Sequence, residues 1–272
     1  MKKIGLPLLL IFVGIALLLM SSEPATPVIY IIGDSTAAQK DTTNGKLERG
    51  WGMMLHEFFD DGVRVENHAV NGRSSRSFYA EGRWQKVIDK VKPGDYVIIQ
   101  FGHNDEKPQP DRHTDVGTTF DAHLAQYVIE TKAKGATPIL MSPMTRRNFY
   151  LKPEKQDDDE KLRETTFKGE HVNSDTLVDT HGDYRYVAHR VAQQYGVPFV
   201  DANKISHDIE QKLGVEGSRK LHMWVEPGIY SWAPKGRQDN THYNIYGARV
   251  MAKALAKAIG KAVPALKSHV RR

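Results

Sequence analysis

The chain has 272 residues, a formal charge of +5 and no cysteine. The lack of cysteine excludes disulfides, a thiol nucleophile and a lipidated N-terminal cysteine. The charge, +3 once Lys2 and Lys3 are removed with a leader, is too mild to argue nucleic-acid binding, and no nucleic-acid motif accompanies it.

Lys2 and Lys3 precede an apolar run from Ile4 to Met20, and Ser21-Ser22 follow. A basic start, an apolar stretch and a small-residue end predict a secretory signal over residues 1–22, with a periplasmic or extracellular mature protein. The run is long and lacks an Ala-x-Ala site, so an uncleaved membrane anchor is the alternative. Residues 23–272 contain no linker and are expected to form one domain.

The first predicted strand is Val28 to Ile32, a short, continuous, β-branched run of the kind buried in parallel sheets. Gly33 ends it and Asp34-Ser35-Thr36 follow. This is a helix-capping pattern. It also places a serine beyond the carboxyl end of a strand, where ligands bind in open α/β sheets, and a helix starting there would add anion-binding N–H groups. The Gly-x-Ser-x-Gly spacing of a nucleophile elbow is absent. A helix is expected over Gly52 to Phe59, with Trp51 in the core. Val63 to Glu66 reads as a second strand, followed by Asn71-Gly72, whose glycine can offer an unobstructed backbone N–H. After a helix over Arg83 to Lys90 comes a third strand, Tyr96 to Phe101, leading into Gly102-His103-Asn104-Asp105. Asn104 can supply an amide donor, and Asp105 is expected to brace the loop. Asn and Gly also favour plain turns.

Further along, Phe120 to Lys134 reads as a helix, Thr137 to Ser142 as a strand, Tyr184 to Gln194 as a helix and Val197 to Asp201 as a strand. The charged stretch from Lys152 to Glu164, with Asp157 to Glu160, reads as a solvated excursion without calcium-loop spacing. Gly214 to Arg237 looks irregular. Trp224, Tyr230 and Trp232 within it are candidates for stacking on sugar rings. Arg73, Arg76, Lys235 and Arg237 form a candidate basic patch for a polyanionic substrate.

Asp239 and His242 come next, three residues apart after Pro234-Lys235-Gly236. In a turn, Asp239 could orient the imidazole of His242 towards Ser35. Asn244 suits a helix cap, Ala248, Met251, Ala252, Leu255 and Ile259 recur at helical spacing, and Gly260 suits the stop. Alternating strands and helices predict a doubly wound parallel sheet. The twelve histidines include no His-Glu-x-x-His, and His171, His181, His189, His207 and His222 lack ligand spacing, so no metal or cofactor is expected.

Taken together, Ser35, Gly72, Asn104 and His242 resemble the four name-giving positions of the SGNH, or GDSL-type, hydrolases, with Asp239 completing a triad. The wording Gly33-Asp34-Ser35-Thr36-Ala37, Asn67 to Ser74 and Asp239-Asn240-Thr241-His242 is similar to the rhamnogalacturonan acetylesterase branch. The resemblance implies a three-layer α/β/α, flavodoxin-like fold with about five parallel strands. It also implies a serine esterase that removes O-acetyl groups from pectic polysaccharide. Ser35 would be the nucleophile, His242 the base, Asp239 its orienting group, and Ser35, Gly72 and Asn104 the oxyanion donors. The alternatives are the same chemistry on xylan, homogalacturonan or lipid and thioester substrates, or a non-catalytic glycan-binding protein. The membrane enters only through an uncleaved leader, and nothing in the sequence speaks to quaternary state.

Overall fold

The computed structural model describes residues 26–151 and 172–271. The predicted leader, the charged 152–164 stretch and His171 lie outside them. In chain order the elements are β1 (Val28–Gly33), β2 (Glu48–Arg49), α1 (Trp51–Met54), β3 (Arg64–Asn67), α2 (Ser75–Ala80), α3 (Arg83–Ile88), β4 (Tyr96–Gln100) and α4 (Thr119–Ala133). They continue with β5 (Thr137–Met141), α5 (Tyr184–Tyr195), β6 (Phe199–Val200), α6 (Ala202–Arg219), β7 (His222–Val225), β8 (Arg237–Asn244) and α7 (Ile245–Ala262).

The expected five-stranded sheet is present, in the order β3-β1-β4-β5-β6 with every pairing parallel. Alternate residues of β1 feed the two layers that flank it. Ile29 and Ile31 pack with Trp51, Leu55 and the buried stripe Met251, Leu255 and Ile259 of α7. Val28, Tyr30 and Ile32 pack on the other face with Trp84, Phe120, Leu124 and Val187. Both faces are therefore covered, which is why β1 reads as an unbroken apolar run. From β1 the chain crosses to β3 on one side, then to β4 on the other, opening a crevice at the carboxyl ends of β1 and β4.

Three features depart from expectation. First, β2, β8 and β7 form a separate antiparallel sheet, and α6 runs to Arg219, so Gly214 to Arg237 is far from wholly irregular. Gly214, at φ +66°, kinks α6 rather than ending it. Second, no helix follows Ser35. Residues 34–38 make a tight turn in which the Asp34 carbonyl accepts from the Ala37 and Ala38 N–H groups. Third, Gly260 lies inside α7 instead of stopping it. A Cβ there would approach Val270 Cγ2 to 2.8 Å, so the glycine admits the C-terminal segment. Among the described residues no helix is long and apolar enough to cross a membrane.

Candidate active site

The turn after β1 is set by close backbone packing and a buried carboxylate. A Cβ on Gly33 would stand 2.6 Å from the Gln100 carbonyl oxygen on β4, so only glycine lets the two strands meet there. Asp34 is fully buried. Its Oδ1 accepts from the Thr36 N–H at 2.9 Å and the Thr36 hydroxyl at 2.7 Å, and its Oδ2 accepts from Gln100 Nε2 at 3.2 Å. The side chain before Ser35 therefore serves the turn, and Ser35 is presented at the end of β1.

Asp239 and His242 reach Ser35 from the second sheet. His222 and Met223 are neighbours on β7, yet they pair with Tyr243 and Asp239, so Asn240, Thr241 and His242 bulge out of the ladder. Asp239 Oδ1 holds the bulge by accepting from the N–H groups of Thr241 and His242, each at 2.9 Å. This supplies the turn expected from the sequence, inside a strand. Asp239 Oδ2 lies 2.8 Å from His242 Nδ1, and His242 Nε2 lies 2.9 Å from Ser35 Oγ. A carboxylate only accepts, so the imidazole proton sits on Nδ1 and Nε2 is left to take the serine hydroxyl hydrogen. Burial alone would raise the Asp239 carboxyl, but the His242 ring and the Arg237 guanidinium against it hold it well below the usual carboxylate range.

Two loops flank this line. The chain after β3 runs beside β1, with the His68 and Val70 N–H groups donating to the Ile31 and Gly33 carbonyls, and delivers Gly72 at φ +72°. Asn104 is buried in the loop after β4. Its Oδ1 accepts from Arg112 at 3.3 Å and its Nδ2 donates to the Arg73 carbonyl at 3.1 Å, which fixes the amide orientation. Asp105 does brace the loop, accepting from the Gly102 N–H at 3.1 Å, the Ser75 hydroxyl at 2.5 Å and the Thr114 hydroxyl at 3.0 Å. It thus ties the Asn104 loop to the start of α2, just beyond Gly72. Burial pushes the Asp105 carboxyl up to about 7.

The residues expected to bind substrate divide. Arg73 is engaged with Glu81 at 3.1 Å and with the Asn71 carbonyl at 2.8 Å; Arg76 is exposed and reaches the His113 carbonyl at 3.5 Å. Trp224 is held between cations, its ring 5.3 Å from the Arg147 guanidinium and 4.8 Å from that of Arg219, while its Nε1 donates to Asn240 Oδ1 at 2.9 Å. Tyr230 and Trp232 stack on each other at 5.1 Å. Trp232 also walls a cavity of about 290 Å³ that includes Lys40, Asn71, Met223 and Arg237. Arg237 is buried, with Nη1 donating to Glu48 Oε2 at 2.8 Å and Nη2 to Asp239 Oδ2. Its terminal nitrogens are turned to these acids, so the surface patch drawn from sequence does not include its charge. Lys40, Glu48, Arg112, Arg147 and Asn240 were not singled out in the sequence. Only Asn240, within Asp-Asn-Thr-His, had a local cue.

Known proteins share this geometry's framework. The GDSL-like Lipase/Acylhydrolase family matches residues 29–255. The rhamnogalacturonan acetylesterase RhgT of Bacillus subtilis (strain 168) is 32% identical over 242 residues, covering 89% of this chain and 93% of the relative. The crystal structure of protein YxiM from Bacillus subtilis superposes with a TM-score of 0.65 at 24% identity, over 87% of this chain and 56% of that one. A variant of Axe2, an acetyl xylan esterase from Geobacillus stearothermophilus, shares the fold at a TM-score of 0.54 and 20% identity, over 86% of this chain and 94% of that one. The chain belongs to the GDSL-like lipase/acylhydrolase family and is a carboxylic ester hydrolase.

Proposed function

We propose that the chain is a serine acetylesterase acting on acetylated pectic polysaccharide, rhamnogalacturonan first, after export from the cell. The observation that carries the chemistry is the line from Ser35 Oγ to His242 Nε2 at 2.9 Å and from His242 Nδ1 to Asp239 Oδ2 at 2.8 Å. Support for the substrate comes from the RhgT relative, named for rhamnogalacturonan and matched along nearly its full length.

His242 takes the Ser35 hydroxyl proton as Oγ attacks the acetyl carbonyl. The backbone N–H groups of Ser35 and Gly72 and the Asn104 amide receive the negative oxygen, each such donor worth about 2.7–4 kcal/mol at the transition state. Collapse expels the sugar hydroxyl, which leaves with the proton from His242. Water then attacks the acetyl-enzyme by the same route, releasing acetate and restoring Ser35. No cofactor takes part. Trp232 and the cavity it walls offer the sugar a contact surface beside the reacting centre.

The test is acetate release from acetylated rhamnogalacturonan, homogalacturonan and xylan, each beside a Ser35→Ala control. Serine-dependent release confined to rhamnogalacturonan is expected. Release from xylan alone would overturn the substrate and keep the chemistry, and undiminished turnover by Ser35→Ala would overturn the chemistry.

A further inference from the structure

One chain of polar contacts links the second sheet, the segment after the Ser35 turn and the Asn71-Gly72 loop. Arg237 Nη2 donates to Asp239 Oδ2, the oxygen that also faces His242 Nδ1. Arg237 Nη1 donates to Glu48 Oε2 at 2.8 Å, across 189 residues of sequence. Glu48 Oε1 lies 2.8 Å from Lys40 Nζ, and the same ammonium donates to Asn71 Oδ1 at 2.5 Å. The side chains of Lys40, Glu48 and Arg237 are each at most 10% exposed. Lys40 belongs to the segment that leaves the Ser35 turn, Glu48 to β2, Arg237 to β8, and Asn71 immediately precedes Gly72.

A packing role alone would not require this arrangement. An Asp carboxylate can rotate, and Asp239 has two separate duties: Oδ1 closes the bulge through the Thr241 and His242 N–H groups, and Oδ2 orients the imidazole. A guanidinium with one branch on Oδ2 and the other on a second fixed carboxylate removes that rotation, because its planar fork allows little freedom once both branches are bonded. The charges alternate along the line as Lys40, Glu48, Arg237 and Asp239, so each buried ion has an opposite neighbour.

We infer that Arg237 is a positioning residue for the hydrolytic site, holding the Asp239 carboxylate in the orientation His242 needs, with Glu48 and Lys40 as its anchor. This rests on the proposed Ser35-His242-Asp239 assignment and gives Arg237 a role beyond lining the cavity beside Trp232.

The experiment measures kcat and KM on p-nitrophenyl acetate for wild type, Ser35→Ala, Asp239→Asn, Arg237→Gln, Arg237→Lys, Glu48→Gln and the double variants with Asp239→Asn, alongside thermal midpoints. Arg237→Gln should lower kcat about 10- to 100-fold, the range found for groups that orient ligating histidines, with KM nearly unchanged. Arg237→Lys, which keeps one charged donor, should recover part of the loss. In the Asp239→Asn background neither Arg237→Gln nor Glu48→Gln should cost more than about twofold further, because the carboxylate they hold is gone. If Arg237→Gln does not fold, Glu48→Gln carries the same comparison: a several-fold loss alone and none beside Asp239→Asn. Losses that multiply in the double variants, or a raised KM at unchanged kcat, overturn the inference while an inactive Ser35→Ala leaves the triad standing. An active Ser35→Ala removes both.

Discussion

Arg147 and Asn240 are bonded twice: the Arg147 N–H donates to the Asn240 carbonyl at 2.9 Å and Nη1 donates to Asn240 Oδ1 at 3.0 Å. Arg147 is itself buried, with Nε on Ser218 Oγ at 2.8 Å. Since Asn240 lies between Asp239 and His242, the segment after β5 grips the bulge from outside while Asp239 grips it from within.

Asn240→Ala removes the acceptor shared by Arg147 and Trp224 Nε1. A loss of about 1–3 kcal/mol in stability is expected from two buried donors deprived of that partner, with a fall in kcat as the bulge loosens. Urea unfolding and ester turnover measure the two. Asn240→Asp, which keeps an acceptor, should retain more of both than Asn240→Ala.

Gly33→Ala tests the strand contact under Ser35, the proposed nucleophile. Its Cβ would meet a backbone oxygen at 2.6 Å, and a backbone atom in a central strand has little room to retreat. The expected cost is about 1–3 kcal/mol of overpacking, together with lost turnover from a displaced Ser35. Wild-type stability and turnover would show that β1 and β4 separate freely at this point.

Glu106 forms a buried ion pair with Arg146 at 2.5 Å and lies 2.9 Å from His181 Nδ1. Burial opposes ionisation, but Arg146 and His181 together bring the carboxyl from 4.5 down to about 2. A depressed folded value stabilises the protein above the unfolded value, and the contribution disappears as pH falls through the folded one. Wild type should therefore lose on the order of 3 kcal/mol relative to Glu106→Gln between about pH 4.5 and 2. Urea midpoints of the two proteins across this window supply the measurement, and parallel curves would refute it.

Asp105 carries the opposite sign. Its carboxyl is raised from 3.8 to about 7 by burial, so the folded state takes up a proton the unfolded state has released. The stabilisation is complete below pH 3.8 and is lost as pH rises through 7. Asp105→Asn has no such titration. The stability difference between wild type and this variant should shift against wild type as pH rises from about 4 to about 8, as followed by unfolding at fixed temperature.

The parallel sheet was legible because its strands announce themselves. Val28 to Ile32 and Tyr96 to Phe101 are apolar nearly throughout, and both faces of the sheet are covered. The second sheet was not. His222–Val225 and Arg237–Asn244 mix charge, amide and ring without alternation, because β8 carries functional groups and a three-residue bulge where a simple ladder would alternate. Ser35, Gly72 and Asn104 were visible as short motifs in loops after strands, and Asp239 and His242 as a short motif that lies within β8. Arg237 read as part of a basic patch for substrate, since its pairing depends on Glu48, and no local pattern connects residues 189 positions apart. Trp224 looked available for stacking because one of the cations that cover it, Arg147, comes from a distant segment, while Arg219 closes α6 just before β7.

The two sheets divide the proposed triad between them. Ser35 follows a strand of the first, while Asp239 and His242 belong to the second, and Ser35 and His242 stand 207 residues apart. Until β8 docks, Ser35 lacks the base proposed for it, and α7, which covers one face of the parallel sheet, follows β8 in the chain. Return of esterase turnover during refolding is thus a clock for the arrival of the C-terminal strand beside β2. A chain still emerging during synthesis would stay chemically silent until β8 had cleared the ribosome.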